Sequence, residues 1–77
     1  MMEKKLSEIA EGKKAKIVSL VDDEIVLKLM EMGCLPGEEV QVEKKAPFGD
    51  PISIFVSGYH LSLRRDEADK IIVKECK

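Results

Sequence analysis

The sequence predicts a mainly β fold: a small SH3-like barrel of five strands with one α-helix inserted after the first strand. Two observations carry that prediction. Short stretches alternate apolar and polar residues, the two-residue period of half-buried strands, and turn pairs such as Pro36-Gly37 and Ser57-Gly58 separate them. Only one stretch, Ile25 to Met32, has helical period over more than a turn or two.

Leu6, Ile9 and Ala10 are spaced for one or two helical turns, with Ser7 as a cap, and Gly12 ends them. Ala15, Ile17 and Ser19 alternate with Lys16, Val18 and Leu20, a strand with apolar side chains on both faces, as in a small closed barrel. Asp22 or Asp23 caps the next helix and complements its dipole. Ile25, Val26, Leu29 and Met30 form its apolar stripe.

The stretch from Leu29 to Val40 then turns helix into strand. Gly33 stands where a left-handed C-terminal cap is expected, and in a Schellman-type ending Cys34 packs back on Leu29. Pro36 holds Leu35 extended. Pro36-Gly37 suits the centre of a type II turn, since proline sets the first φ and glycine allows the positive second one. Strands follow at Glu39–Lys45, at Ile52–Val56 and from Tyr59 to Leu63, the last two a hairpin about Ser57-Gly58. Asp66 reads as an N-cap, with Asp69 three residues on in a weak capping box. Glu67, Ala68 and Lys70 make a helical turn, and Ile71-Ile72-Val73 is the last strand.

A chain of 77 residues forms one domain, 1–77, and has no internal repeat. Such a domain buries about 60% of the surface its unfolded chain exposes. With 44% apolar and 36% charged residues the balance is globular. Phe48, Phe55 and Tyr59 are the aromatics, so the core is aliphatic. The net charge of −2 lacks the basic excess that phosphate binding favours. No apolar h-region follows Met1 and no stretch is long enough to span a bilayer, so a reducing cytoplasm is the expected location.

The chemical inventory is thin. There is no phosphate loop, no H-E-x-x-H and no paired C-x-x-C, and His60 is the single histidine. No catalytic, cofactor-binding or metal-ligating set stands out, and the chain is read as a non-enzyme without a cofactor. Cys34 is a candidate thiolate ligand or redox thiol, but free cysteines more often serve as small apolar contacts. Cys76 sits in a polar tail. His60 is a candidate metal ligand, yet its alternation with Tyr59 and Leu61 marks a solvated strand position. Asp22-Asp23-Glu24 are better explained by a helix N-terminus than by a cation. Lys44-Lys45 and Arg64-Arg65 are paired charges at strand ends, usually solvated. Leu35, beside Pro36, is either tucked into the core or offered to a partner, and both readings stay open. The residues singled out for partner binding are Leu35, Pro36, Met32 and Cys34.

Taken in order, several pieces resemble one family. They are Leu6-Ser7-Glu8-Ile9 with Gly12-Lys13-Lys14-Ala15-Lys16-Ile17, then Leu29-Met30-Glu31-Met32-Gly33 with Pro36-Gly37, then Gly49-Asp50-Pro51-Ile52 with Gly58-Tyr59. Leu61, Leu63-Arg64, Glu67-Ala68 and Ile72-Val73 complete the pattern. The chain resembles the FeoA family, small cytoplasmic accessory proteins of ferrous iron transport. Cys34 departs from it, since the family more often has a larger side chain there. The resemblance implies an SH3-like barrel with an inserted helix. It implies a regulatory or assembly role toward FeoB, a membrane permease with a cytoplasmic GTPase region, without direct membrane insertion and without nucleic acid. A weak homo-oligomer is compatible with it. The competing reading is a nucleic-acid-binding small barrel, since Gly12 to Leu20 loosely resembles a KOW-type strand; charge and few aromatics oppose it. A third, an iron-binding chaperone, finds poor support in the scattered Cys34, His60 and Cys76.

Overall fold

In the computed structural model, which describes residues 3–21 and 24–76, six strands form one antiparallel sheet. The strands are β1 (Glu3–Lys5), β2 (Lys14–Leu20), β3 (Glu39–Lys45), β4 (Ile52–Val56), β5 (Tyr59–Leu63) and β6 (Ile71–Glu75). A 3-10 turn (Leu6–Glu8) follows β1, helix α1 (Val26–Glu31) lies between β2 and β3, and helix α2 (Arg65–Ala68) precedes β6. The hydrogen-bonded order is β1-β6-β2-β3-β4-β5, so β1 and β5 are its two edges and the ladder does not close. Six strands, not five, make the sheet. The extra one, β1, is three charged residues with no apolar period, held by its register with Ile72, Val73 and Lys74 of β6.

Period-two burial holds along the sheet. Val40 and Val42, Ile52, Ile54 and Val56, and Ile71 and Val73 enter one aliphatic core. Two register shifts break the pattern, between Ile17 and Ser19 in β2 and between Val42 and Lys44 in β3. An extra residue flips the faces beyond it and adds twist. Hence Ala15 and Ile17 point inward before the shift in β2, while beyond it Ser19 is exposed and Leu20 packs on the core. That is why both faces of this strand carry apolar residues.

The ends of the helical segments differ from expectation. Ser7 does not cap: Glu8 Oε1 accepts the Lys5 N–H at 2.8 Å, and the Ser7 hydroxyl donates to Asp69 instead. Ala10 is exposed, while Leu6 and Ile9 are buried. The caps expected at Asp22 or Asp23 lie outside the described residues. Helix α1 is only six residues long; it buries Leu29 and packs Ile25 and Met32 against the core, leaving Met30 at 38% exposure. The buried stripe therefore runs Ile25, Leu29, Met32, at i, i+4, i+7. Asp66 is not the N-cap of α2. That position is Arg64, whose N–H is accepted at 2.8 Å by Glu67 Oε1, the reach-back half of a capping box.

Candidate docking site

Helix α1 hands over to β3 in a turn whose backbone is closed at every step. The Gly33 N–H donates to the Met30 carbonyl and the Cys34 N–H to that of Leu29, both at 3.0 Å. This is the expected Schellman pair, and Gly33 takes φ +101°, open to glycine and costly for other residues. The Glu38 N–H then donates to the Leu35 carbonyl at 3.0 Å, with Gly37 at φ +94°, which is the expected type II turn. Three further bonds tether it. Gly37 N–H donates to Ile17 O at 2.8 Å, Ile17 N–H to Glu38 O at 2.9 Å, and Ser57 Oγ to Gly33 O at 3.1 Å. Turn 33–38 is thus clamped between β2 and the β4–β5 turn.

The four residues singled out on this turn fare differently. Leu35 is 37% exposed and Pro36 is exposed. Met32 is half-buried against the core. Cys34 is completely buried, because the Schellman ending folds it back into the core that holds Leu29, so it offers no surface to a partner. Burial, and secondarily the Glu67 carboxylate, push its thiol up from 9.0 to about 11, which keeps it protonated and a poor ligand or nucleophile near neutral pH. Leu27, 67% exposed on α1, was not singled out, since a lone exposed leucine carries no pattern.

A second feature was also not legible. A cleft of about 630 Å3 lies among Ile25, just before α1, Lys28 of α1, Ser62 and Leu63 of β5, and Asp66 and Glu67 of α2. Glu67 is buried at its wall; one oxygen caps α2 and the other sits 3.4 Å from Lys28 Nζ. The residues named come from two stretches far apart in sequence, so no local spacing announces them. The cleft mixes both charge signs and holds no nucleophile–base pair.

His60 lies on the exposed side of β5, with Nδ1 2.9 Å from Glu43 Oε1 and its ring 4.8 Å from that of Phe55. Cys34 is in the core and Cys76 follows β6. Among the described residues, no three His, Cys, Asp or Glu side chains come together as a metal-holding group. Lys45 pairs with Ile52, and Ile52 with Leu63, so Lys44-Lys45 and Arg64-Arg65 share one end of the sheet. There the Lys45 ammonium donates to the Ser7 carbonyl at 2.8 Å, and Asp50 accepts the Arg65 backbone N–H at 3.1 Å. No helix among the described residues is long and apolar enough to cross a membrane.

Comparison with known proteins gives a consistent picture. The FeoA domain model matches residues 4–75. An Fe(2+) transport protein A/Fe(2+) transporter FeoB fusion protein of Porphyromonas gingivalis is 37% identical over 71 residues, which is 91% of this chain and 8% of that protein. This chain therefore spans less than a tenth of the fusion. Among solved structures, a FeoA-like protein from Clostridium acetobutylicum superposes with a TM-score of 0.93 at 37% identity, covering 100% of this chain and 91% of that one. Stenotrophomonas maltophilia FeoA complexed with zinc, described as a prokaryotic SH3 domain protein, gives 0.80 at 32% identity over 96% of this chain and 91% of its own. With the match running over nearly the whole length, the chain belongs to the FeoA domain family.

Proposed function

We propose that this chain is a non-enzymatic accessory and regulatory protein of ferrous iron uptake. In this reading it acts in the cytoplasm by binding the cytoplasmic GTPase region of a FeoB-type permease. The observation that carries the reading is the fusion relative, in which a segment 37% identical to this chain is covalently part of a FeoB transporter. Joining two modules makes their encounter intramolecular and raises effective concentration without any new contact. A fusion is favoured where the separate modules already work together.

The scaffold is read as a small SH3-like barrel. The register shifts in β2 and β3 supply the curl such a barrel needs, and the S. maltophilia relative is described as an SH3 domain protein. The contact itself is assigned to the turn carrying Leu35 and Pro36. Its backbone is already bonded to β2 and to Ser57, so little loop entropy is lost on docking. The test is a pull-down of the partner FeoB, as its soluble GTPase domain and as full-length protein in detergent, with and without guanine nucleotide. Retention in at least one of these states supports the reading. Absence of retention in all of them overturns it.

A further inference from the structure

We infer that β5 is a self-pairing edge, along which two copies of this chain join antiparallel about a twofold axis at Leu61. The inference does not rest on the transporter reading. Its ground is the free edge of the sheet and the pattern of that edge.

The hydrogen-bonding phase of β5 is set by its hairpin. Ser57 at φ +52° and Gly58 at φ +82° form a two-residue loop with both residues left-handed, the type I′ arrangement. Such a loop makes the flanking pair, Val56 and Tyr59, exchange both backbone bonds. Bonded and non-bonded pairs then alternate along Ile54–Leu61 and Ile52–Leu63, with Phe55–His60 and Ser53–Ser62 between them. The N–H and C=O groups of His60 and Ser62 therefore point away from β4. Beyond β5 there is no further strand, and neither residue has another backbone partner among the described residues. The next outward N–H, that of Arg64, is already taken by Glu67.

The two edges of the sheet are guarded very differently. Edge strand β1 is Glu-Lys-Lys, short and exposed, which discourages addition of another strand. Edge strand β5 runs Tyr59-His60-Leu61-Ser62-Leu63 with unbroken register, no proline and no Lys, Arg, Asp or Glu. Within the strand itself, the protections of charge, proline and bulge are absent.

The pattern also selects the occupant. Around Leu61 the strand reads apolar, polar, apolar, polar, apolar in both directions. Antiparallel self-pairing centred there sets His60 opposite Ser62 of the second copy, Leu61 opposite Leu61 and Tyr59 opposite Leu63. Apolar meets apolar, polar meets polar, and no like charges are opposed. The same register makes both His60–Ser62 pairs the bonded ones, so the outward groups of the two copies satisfy each other. Leu61, only partly covered in the single chain, gains a partner at the axis. The contact is isologous and closes at two chains.

Sedimentation equilibrium over a wide concentration range, paired with amide exchange, tests this. The expected result is a reversible dimer in which the His60 and Ser62 amides gain protection as concentration rises. Ser62→Lys should weaken self-association at least tenfold while the far-ultraviolet circular dichroism stays unchanged. In a Cys76→Ser background, Leu61→Cys should form a disulfide-linked dimer under mild oxidation, because directly opposed positions place Cβ atoms about 4.5–5.5 Å apart. Tyr59→Cys, which faces Leu63, should not. A chain that stays monomeric to millimolar concentration, or a dimer indifferent to Ser62→Lys, overturns the proposal. So does protection of the two amides that arises only when a FeoB domain is added, which would give the edge to that partner.

Discussion

Ser57 closes on Gly33. Its hydroxyl donates to the Gly33 carbonyl at 3.1 Å, and a Cβ built on Gly33 would meet Ser57 Cβ and Oγ at 3.2 Å. This contact joins the end of α1 to the β4–β5 turn. It also separates the two glycines of turn 33–38. Both have positive φ, but a Cβ on Gly37 would meet nothing within 4 Å. Gly37→Val should cost roughly 1–3 kcal/mol from backbone strain alone. Gly33→Ala should cost more than Gly37→Ala, and that gap should shrink in a Ser57→Gly background. Urea melts of the single and double variants check this. Equal costs at the two glycines would show that the Gly33–Ser57 contact is slack.

This turn was legible because proline and glycine write backbone conformation locally. Gly33 and Pro36-Gly37 needed no knowledge of the rest of the chain. Strand alternation was legible for the same reason, as with Ile52, Ile54 and Val56. What escaped depends on distant partners. Strand β1 exists because β6 lies beside it, and nothing in Glu3-Lys4-Lys5 says so. Ser7 and Asp66 look like caps, but Glu8 and Glu67 reach the backbone first and Ser7 is spent on Asp69. Of the four residues singled out for partner binding, Cys34 lies in the core with Leu29, the packing its place after Gly33 suggests. A Schellman ending carries that side chain inward.

Cys34 supplies a pH signature. Its thiol titrates near 9.0 in an open chain and at about 11 in the fold, so the native state holds the proton more tightly. The stability this contributes is whole below about pH 9 and is lost as pH rises toward 11, by about 3 kcal/mol at most. Relative to Cys34→Ala, the native chain should therefore lose stability over that interval and show no difference in slope below it. Matched melts through this range test the sign. At neutral pH a disulfide reagent should titrate Cys76 well before Cys34.

Glu67 is asymmetric in its two contacts. Its bond to the Arg64 N–H caps α2, whereas its partner Lys28 has a side chain 66% exposed and keeps most of its water. Glu67→Ala should cost about 0.5–2 kcal/mol, as loss of a cap does. Lys28→Met should cost at most about 1 kcal/mol, the range of exposed ion pairs. Thermal melts of both variants decide it. A larger loss at Lys28 than at Glu67 would mean that the ion pair, and not the cap, holds this corner.

Scattered ligands predict a weak metal response. With Cys34 in the core, His60 on β5 and Cys76 beyond β6, the single chain should bind no Fe2+ or Zn2+ stoichiometrically and tightly. Anaerobic calorimetry should show no submicromolar site. One that appears and is then lost on changing His60 or a cysteine would contradict this.

Leu35 carries the central claim. It stands 37% exposed, directly before Pro36 on a turn bonded to β2 and to Ser57. The measurement is calorimetric binding of the wild-type chain and of Leu35→Asp to full-length FeoB in detergent, with circular dichroism of each chain alongside. The account predicts a folded variant that binds about 2 kcal/mol or more weakly, the loss expected of an interface anchor. A folded Leu35→Asp chain that binds the transporter as tightly as the wild type would contradict it.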